Sequence, residues 1–496
     1  MFPYKTSILL DRSIKQPLYL QLSKQIIELI KENRLAPKTK LPGSRALSEL
    51  LGVHRKTIVA CYEELTLQGW IESIPKKGTF IHNNLPELEQ QKLSNETQNE
   101  SKLTAGFRFY KRKLLAKPVP ENSENFMVVN DGVSDGRLTP VNEIARIYRR
   151  ITSRKEGHTH LAYGATFGND KLRNVLANYL NKSRGLHVCK DNILITRGSQ
   201  NGIYLTSQLL LKEKDNIIVG TTNYIAADMT FQNQQANLIR VQIDENGIDT
   251  CQIEAICKQQ QIKAVYVTSH HHHPTTVTLS AERRIHLLNL AKKYCFAIIE
   301  DDYDYDFNYN HSPILPLASH DINRNVIYIG SVCKTVAPVF RIGYLIASKE
   351  FVQEAANLRR IVDRQGDALL ELTFAEFIEN GDLDRHIKKM LKVYKVRRDL
   401  ICRLLKEELS DFFQFEIPKG GMAIWLKLRK DISWDTVSRI ALENELVIGD
   451  WTRYDPQKTK HNAIRLGFAS YNEEEIYKLI AKFKRTLSKV AQEKSL

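Results

Sequence analysis

Three apolar runs in this 496-residue chain each end in side chains able to do chemistry. Val326–Gly330 is followed by Ser331, Cys333 and Lys334, with Arg341 further along. Phe296–Glu300 runs into Asp301, Asp302 and Tyr303, and Ile193–Thr196 runs into Arg197, Gly198, Ser199 and Gln200. A single lysine past a buried strand is usually a solvated cation. A lysine, an acid and a glycine-serine turn at three strand ends are instead the parts of a pyridoxal 5'-phosphate site. They offer an amine to form an imine, an anion for the ring nitrogen, and backbone amides for the phosphate. Burial helps Lys334 shed the proton that would block it as a nucleophile. Arg341 adds a charged contact to the phosphate.

Other residues leave two readings open. Asp301 and Asp302 are both placed to face the ring nitrogen, and spacing does not choose between them. Tyr224, after Thr221-Thr222-Asn223, lies over the ring or merely packs. Arg465 interrupts the apolar run Ala463–Ala469, so it sits in a structural salt bridge or takes a ligand's carboxylate. The run His270–His273 has a metal-binding composition. Yet neighbours on an extended backbone point to opposite sides, so the four cannot share one ion, and no metal is expected.

These groups need a scaffold, and the alternation of apolar strands with helices supplies one. Strands are expected at Ile193–Thr196, Asn216–Gly220, Leu238–Val241, Ala264–Thr268, Phe296–Glu300, Val326–Gly330 and Arg341–Ala347. Helices such as Asn201–Leu211, Ala281–Tyr294 and Phe351–Arg360 lie between several of them. That pattern predicts an α/β fold with a mostly parallel sheet over residues 119–369, its site beyond the carboxyl ends of the strands. From 370 to 496, helices around Arg385–Leu409 and Glu473–Phe483 with strands at Phe413–Glu416 and Met422–Leu428 predict a small α+β domain.

Residues 1–81 read differently. Leu18, Leu22, Ile26, Ile27 and Ile30 recur at helical spacing. Ser44 is placed to cap a short helix that Gly52 ends, and Val53-His54-Arg55-Lys56-Thr57 opens the next. Two short helices about a glycine turn, the second starting with basic residues, make a helix-turn-helix. Trp70–Ile81 reads as a two-stranded wing around Lys76, Lys77 and Gly78. Residues 82–118 are polar and form a linker with little to bury. The net charge of +15 favours a polyanionic partner. The seven cysteines have no paired or metal-like spacing. No run is long enough for a membrane span, and the start lacks a signal peptide's pattern, so a cytoplasmic protein is expected.

The chain resembles the MocR/GabR-type regulators of bacteria, a branch of the GntR family. The resemblance rests on Pro17–Leu22, Leu35–Leu47, Leu51–Val59 and Lys77–Ile81, then on Leu194–Gln200, Ile299–Asp304 and Gly330–Tyr344. It implies a winged helix-turn-helix followed by a pyridoxal-phosphate-dependent transferase domain of fold type I, in a domain-swapped homodimer. It implies Lys334 as the imine lysine, Asp301 as partner of the ring nitrogen and Tyr303 at the phenolic oxygen. Tyr224 takes the stacking position, Ser199, Gln200 and Arg341 the phosphate, and Gly198, His273, Ser331 and Cys333 complete the cofactor-binding set. Arg465 takes the carboxylate of an amino-compound effector, and Arg45, His54, Arg55, Lys56, Thr57, Lys76, Lys77 and Gly78 meet the DNA operator. Three positions depart from the family's habit: His273 stands near the pyridine oxygen where an aromatic is usual, Thr276 replaces a glycine, and Cys333 replaces a frequent serine. The expected function is a regulator that senses an amino compound, or the cofactor itself, through Lys334. An aminotransferase with a DNA-binding head and a cofactor-free DNA-binding dimer are the alternatives.

Overall fold

The computed structural model describes residues 2–85, 105, 107–112, 126–154, 159–309, 314–332, 334–454 and 461–495. Most of the predicted linker, and Cys333, lie outside the described residues. The chain divides into two compact units, Met1–Tyr110 and Lys111–Leu496.

In the first unit a short helix α1 (Tyr4–Ser7) precedes α2 (Leu18–Lys31), α3 (Ser44–Leu51) and α4 (Arg55–Leu67). Helix α2 buries Leu22, Ile26, Leu29 and Ile30, the 3–4 spacing of one helical face, against Leu47 of α3 and Ile58, Cys61 and Leu65 of α4. Helix α3 ends at Gly52, whose left-handed φ of 63° turns the chain without a side-chain clash. Gly43, not Ser44, occupies the position before α3, and no side chain caps that helix; Ser44 is instead its first residue. His54 caps α4, its Nδ1 accepting from the Lys56 amide at 3.2 Å. Strands β1 (Ile71–Ile74) and β2 (Gly78–Ile81) pair antiparallel with Ile71 opposite Ile81, and form the wing.

The second unit begins with β3 (Met127–Val129), α5 (Val141–Thr152) and α6 (Asp170–Arg184). Then β4 (Ile193–Thr196), α7 (Ser199–Leu210), β5 (Asn216–Gly220), α8 (Ile225–Asn233) and β6 (Asn237–Val241) alternate. A small hairpin, β7 (Ile243–Asp244) with β8 (Gly247–Ile248), leads to α9 (Thr250–Cys257), β9 (Ala264–Val267) and α10 (Ala281–Tyr294). The large domain finishes with β10 (Ala297–Asp302), β11 (Val326–Ser331), β12 (Gly343–Ile346), α11 (Lys349–Val362) and α12 (Ala368–Glu379). Its seven strands lie in the order β4-β12-β11-β10-β9-β5-β6. Strand β12 runs antiparallel to both neighbours and the other pairings are parallel. Buried apolar residues cover both faces, so the strands are apolar throughout and not alternating.

Two strand ends of the large sheet differ from expectation by two residues. Strand β10 continues through Asp302 because β11 stays in register beside it, with Asp302 opposite Gly330. The acids therefore lie on the strand itself. Strand β12 starts at Gly343 because Arg341 takes a left-handed φ of 52° after a 3-10 turn at Pro338–Phe340.

Beyond α12, the long helix α13 (Asp382–Glu408) leads to β13 (Phe413–Gln414), β14 (Ala423–Leu428), α14 (Trp434–Glu443), β15 (Leu446–Ile448), β16 (Ala463–Gly467) and α15 (Glu473–Ser495). Strands β13, β14 and β16 form the small sheet, with its own core around Trp434, Ile424, Leu466 and Phe483. Strand β3 pairs parallel with β15 and places Val129 in that same core. The second unit thus enters the small lobe before it builds the large one.

Ile58 is fully buried at the centre of the first unit. Ile58→Ala is expected to cost about 2–5 kcal/mol, the usual price of deleting a buried branched side chain. Scanning calorimetry should show the transition of the first unit fall while that of the second stays in place.

Candidate functional site

The carboxyl ends of β4, β10 and β11 converge on a cavity of about 240 Å³, just below the usual range for ligand sites. At β4 the chain leaves four buried residues, passes Arg197, and turns at Gly198 with φ of 76°. A side chain on Gly198 would lie 2.8 Å from the Arg341 guanidinium, and one on Gly343 would lie 2.7 Å from the Gly198 backbone. This close approach requires both glycines. No side chain caps α7 at Gly198, so the amides of its first turn face an uncapped helix start where Ser199 and Gln200 line the cavity. Arg341 reaches the same place, its Nη2 donating to the Arg197 carbonyl at 2.7 Å. Ser331 also lines the cavity, its Oγ donating to the Ile342 carbonyl at 3.2 Å. A positive side chain, a hydroxyl and a helix start are a donor set for phosphate.

Across the cavity lies Asp301, buried on β10. Its Oδ2 accepts from the Tyr266 hydroxyl at 2.8 Å, while Oδ1 has no hydrogen-bond partner. Burial pushes its pKa up to about 7. Asp302 is the contrast. Its Oδ1 is 3.1 Å from His270 Nδ1, and its Oδ2 accepts from Tyr328 at 2.6 Å. Against the upward push of burial, His270 and Tyr328 help hold its pKa down at about 2. Asp302 is not among the residues lining the cavity. A ring nitrogen carrying a proton fits the unused oxygen of Asp301 and finds none free on Asp302.

Lys334 stands in the turn after β11, half-buried, and burial lowers its pKa. Its Nζ donates to the Gly132 carbonyl at 2.8 Å and lies 4.9 Å from the Tyr303 ring centre. The turn is anchored by Thr335, whose Oγ1 donates to Asp306 at 3.1 Å and whose carbonyl meets His386 Nε2 of α13 at 3.0 Å. Tyr303 donates its hydroxyl to the His271 carbonyl at 2.8 Å and accepts from Arg465 Nη2 at 3.2 Å. Tyr224 precedes α8 and lines the cavity, with its ring edge-on to His273 at 5.2 Å.

The four histidines divide their work. His270 pairs with Asp302, and His271 pairs with Asp304 at 2.9 Å. His272 shares a hydrogen bond with Thr275 at 2.8 Å. His273 lines the cavity, 3.8 Å from Asp131. Burial lowers His272 to about 3 and His273 to about 4, so both are neutral near pH 7. Among the described residues no group of three or more His, Cys, Asp or Glu is arranged for a metal ion. Thr276 keeps a left-handed φ of 64°, the conformation a glycine would take freely.

Arg465, on β16 opposite Trp425 of β14, is fully buried. Its Nε donates to the Asp131 carbonyl at 2.8 Å and its Nη1 to the Pro274 carbonyl at 3.0 Å. Among the described residues no carboxylate lies within salt-bridge distance of it, and it does not line the cavity. Sequence reasoning missed Asp131, which does line it. The only signal was an acid-glycine pair after the apolar Val128-Val129, the pattern seen at the other strand ends.

In the first unit Arg45, His54, Arg55, Lys56, Lys76, Lys77 and Gly78 are exposed and Thr57 is partly covered. Arg55 Nε donates to Ser44 Oγ at 3.3 Å, tying the start of α4 to that of α3. At the wing Lys76 takes a left-handed φ of 63°. Lys40, also missed, lies against Gly78, where an added side chain would meet its Cε at 2.9 Å. Its Nζ is 5.8 Å from the Phe80 ring. Three lysines, Lys40, Lys76 and Lys77, therefore gather at the wing.

Comparison with known proteins bears on both units. Residues 18–81 match the bacterial regulatory proteins of the gntR family, and residues 128–483 match aminotransferase class I and II. The uncharacterized HTH-type transcriptional regulator YdfD of Bacillus subtilis is 26% identical over 94% of this chain and 95% of its own length. The HTH-type transcriptional regulator TauR of Rhodobacter capsulatus is 26% identical over 94% of this chain and 96% of its own. Kynurenine aminotransferase of Pyrococcus horikoshii, solved in complex with PMP, superposes with a TM-score of 0.71 and 26% identity, covering 77% of this chain and 97% of that one. The chain belongs to the aminotransferase class I and II family, in its MocR/GabR-type branch, where a GntR helix-turn-helix is fused to a fold-type I domain.

Proposed function

We propose that this protein is a DNA-binding transcriptional regulator that holds pyridoxal 5'-phosphate and senses an amino compound through Lys334. The observation that carries this reading is one cavity joining Lys334, the unused oxygen of Asp301 and an uncapped helix start beside Arg341, in a chain that also carries a helix-turn-helix. Bound pyridoxal phosphate supplies an electrophilic aldehyde that combines reversibly with a primary amine. Lys334 is the resident amine, and its burial keeps a neutral fraction available. Asp301 faces the ring nitrogen, Tyr224 covers the ring, and Tyr303 and His273 stand by the phenolic oxygen. Gly198, Ser199, Gln200, Ser331 and Arg341 take the phosphate, and Arg465, with guanidinium hydrogens left beyond its three oxygen contacts, turns toward an effector's carboxylate. The effector acts on transcription only if it binds two arrangements of the protein with different affinity.

The assembly in this reading is a domain-swapped homodimer in the cytoplasm, on the nucleoid when DNA-bound. Leu161, Tyr163, Val339 and Ile361 support a partner surface, since all four are large, apolar and mostly exposed. Val339 also adjoins Pro338 of the cavity lining. Among the described residues no helix is long and apolar enough to cross a membrane. Arg45 and the start of α4, His54 to Thr57, take the operator's base edges and nearby phosphates, while Lys76, Lys77 and Gly78 take the backbone at the wing.

Lys334→Ala should abolish the visible absorbance of the cofactor-loaded protein and its response to amines; a response that persists would rule out sensing at this lysine. Lys77→Ala is expected to weaken operator binding about equally across sequences and to flatten its salt dependence. Arg55→Ala should change the preferred sequence by about 1–3 kcal/mol at a base pair. Selection from randomised duplexes separates the two outcomes. Asp301 gives a pH prediction. Its pKa rises from 3.8 in an open chain to about 7 here through burial. In the cofactor-free protein the stabilisation from its folded-state proton is complete below about 4 and fades as pH rises through 7. Urea midpoints measured from pH 4 to 8 should fall less steeply in Asp301→Asn than in the parent.

A further inference from the structure

Among the described residues four formally charged side chains line the cavity: Asp131, Asp301, Lys334 and Arg341. The proposed function uses the last three for the cofactor. Asp131 is left over, and it is an anion. Its carboxylate has long contacts with Arg453 Nη2 at 3.7 Å and with His273 Nε2 at 3.8 Å. Both distances are too long for a direct hydrogen bond. His273 is neutral near pH 7, and Arg453 is not among the lining residues. Asp131 nevertheless stays ionised, its pKa held far below the usual range against the pull of burial by His273, Lys334 and Arg453.

The position of Asp131 gives this spare charge a direction. Its own carbonyl accepts from Arg465, and the carbonyl of the next residue, Gly132, accepts from Lys334. The side chain is about one-third exposed, on the segment whose carbonyls hold the reacting amine and the arginine assigned to a carboxylate. Asn130 locks this segment, its Oδ1 accepting from the amides of Gly132 at 3.0 Å and Val133 at 3.1 Å while its Nδ2 donates to Ser470 at 3.0 Å. A ligand that brought only an amine and a carboxylate would leave the Asp131 carboxylate with only its long pairing to Arg453 as it displaced water from the cavity, which is costly.

We infer that Asp131 is a specificity-determining residue, and that the effector is a diamino acid whose second ammonium group pairs with it. This rests on the proposed function and names the effector class of that same site. One amine reaches the cofactor's carbonyl carbon, the carboxylate turns toward Arg465, and the second amine meets Asp131 in a charge-assisted hydrogen bond. Such a contact discriminates by about tenfold or more against an analogue that lacks it.

The test uses the full chain loaded with pyridoxal phosphate and follows its visible absorbance during titration. The probes are L-ornithine and L-norvaline, which share a carbon skeleton and differ by the terminal amine. Half-saturation by ornithine should come at about a tenfold lower concentration than by norvaline. Asp131→Asn should keep the cofactor's absorbance and bring the two half-saturations together, and Asp131→Glu should keep ornithine ahead. Equal half-saturation in the parent protein would overturn the inference without help from any variant, and so would an unchanged ratio in Asp131→Asn. A parent protein with no cofactor absorbance would remove the proposed function itself, and this inference with it.

Discussion

Burying a row of acids is the constraint on which this fold depends. Glu300, Asp301 and Asp302 lie consecutively on a strand packed on both sides, and Asp304 and Asp306 follow at once. A carboxylate out of water must be neutralised, paired or hydrogen-bonded, or the fold loses several kcal/mol for each one left stranded. Glu300 accepts from the amides of Leu317 and Ala318 and from Ser269. Asp302 takes His270 and Tyr328, Asp304 takes His271, and Asp306 takes Arg184 and Thr335. This demand brings the histidine run, the β11 tyrosine and an arginine of α6 to the same few turns of chain. It also explains why one acid is conspicuous. Of this row, Asp301 lines the cavity and keeps an oxygen unspent.

The same demand reaches the small lobe. Asp304 and His271 press against Gly420 and Gly421, where a side chain would collide with the imidazole or the carboxylate. The Gly421 amide donates to the Phe307 carbonyl, and Tyr309 donates to the Gly421 carbonyl. That seam sits just before β14, the strand that holds β16 and so Arg465. The acids, their histidines and the glycine pair thus set where the arginine behind Tyr303 can stand.

Much of this was legible in the sequence, for a physical reason. Strands buried on both faces write themselves as unbroken apolar runs, so β4, β5, β9 and β11 were found almost to the residue. A chemically active group just past such a run has few places to go. The ends were less legible where pairing or backbone handedness decided them. Asp302 is strand because Gly330 lies beside it, and Arg341 is not because its φ is positive. Ser44 looked like a cap, but the chain placed Gly43 there. The histidine run read as a metal-binding composition because its partners, Asp131, Asp302 and Asp304, are distant in sequence or hidden within the acidic run. Thr276 shows the limit of reading a lost glycine as a lost conformation, since the threonine adopts the same backbone at a cost of about 1–3 kcal/mol. Asp131 was invisible because β3, the strand it follows, is only three residues long and belongs to a sheet formed with a partner more than three hundred positions away.

That pairing of β3 with β15 has a mechanical consequence. The first strand of the second unit, β3, is fastened to the small lobe, while Arg112 earlier in the same unit donates to Asn233 of α8 in the large one. Directly after β3 come Asp131 and Gly132, which hold Arg465 and Lys334 through their carbonyls. The points that hold Lys334 and Arg465 therefore lie on one short strip of backbone at the end of β3. Freeing Lys334 from the Gly132 carbonyl acts directly on the backbone that leaves β3, the strand pinned to β15 in the small lobe.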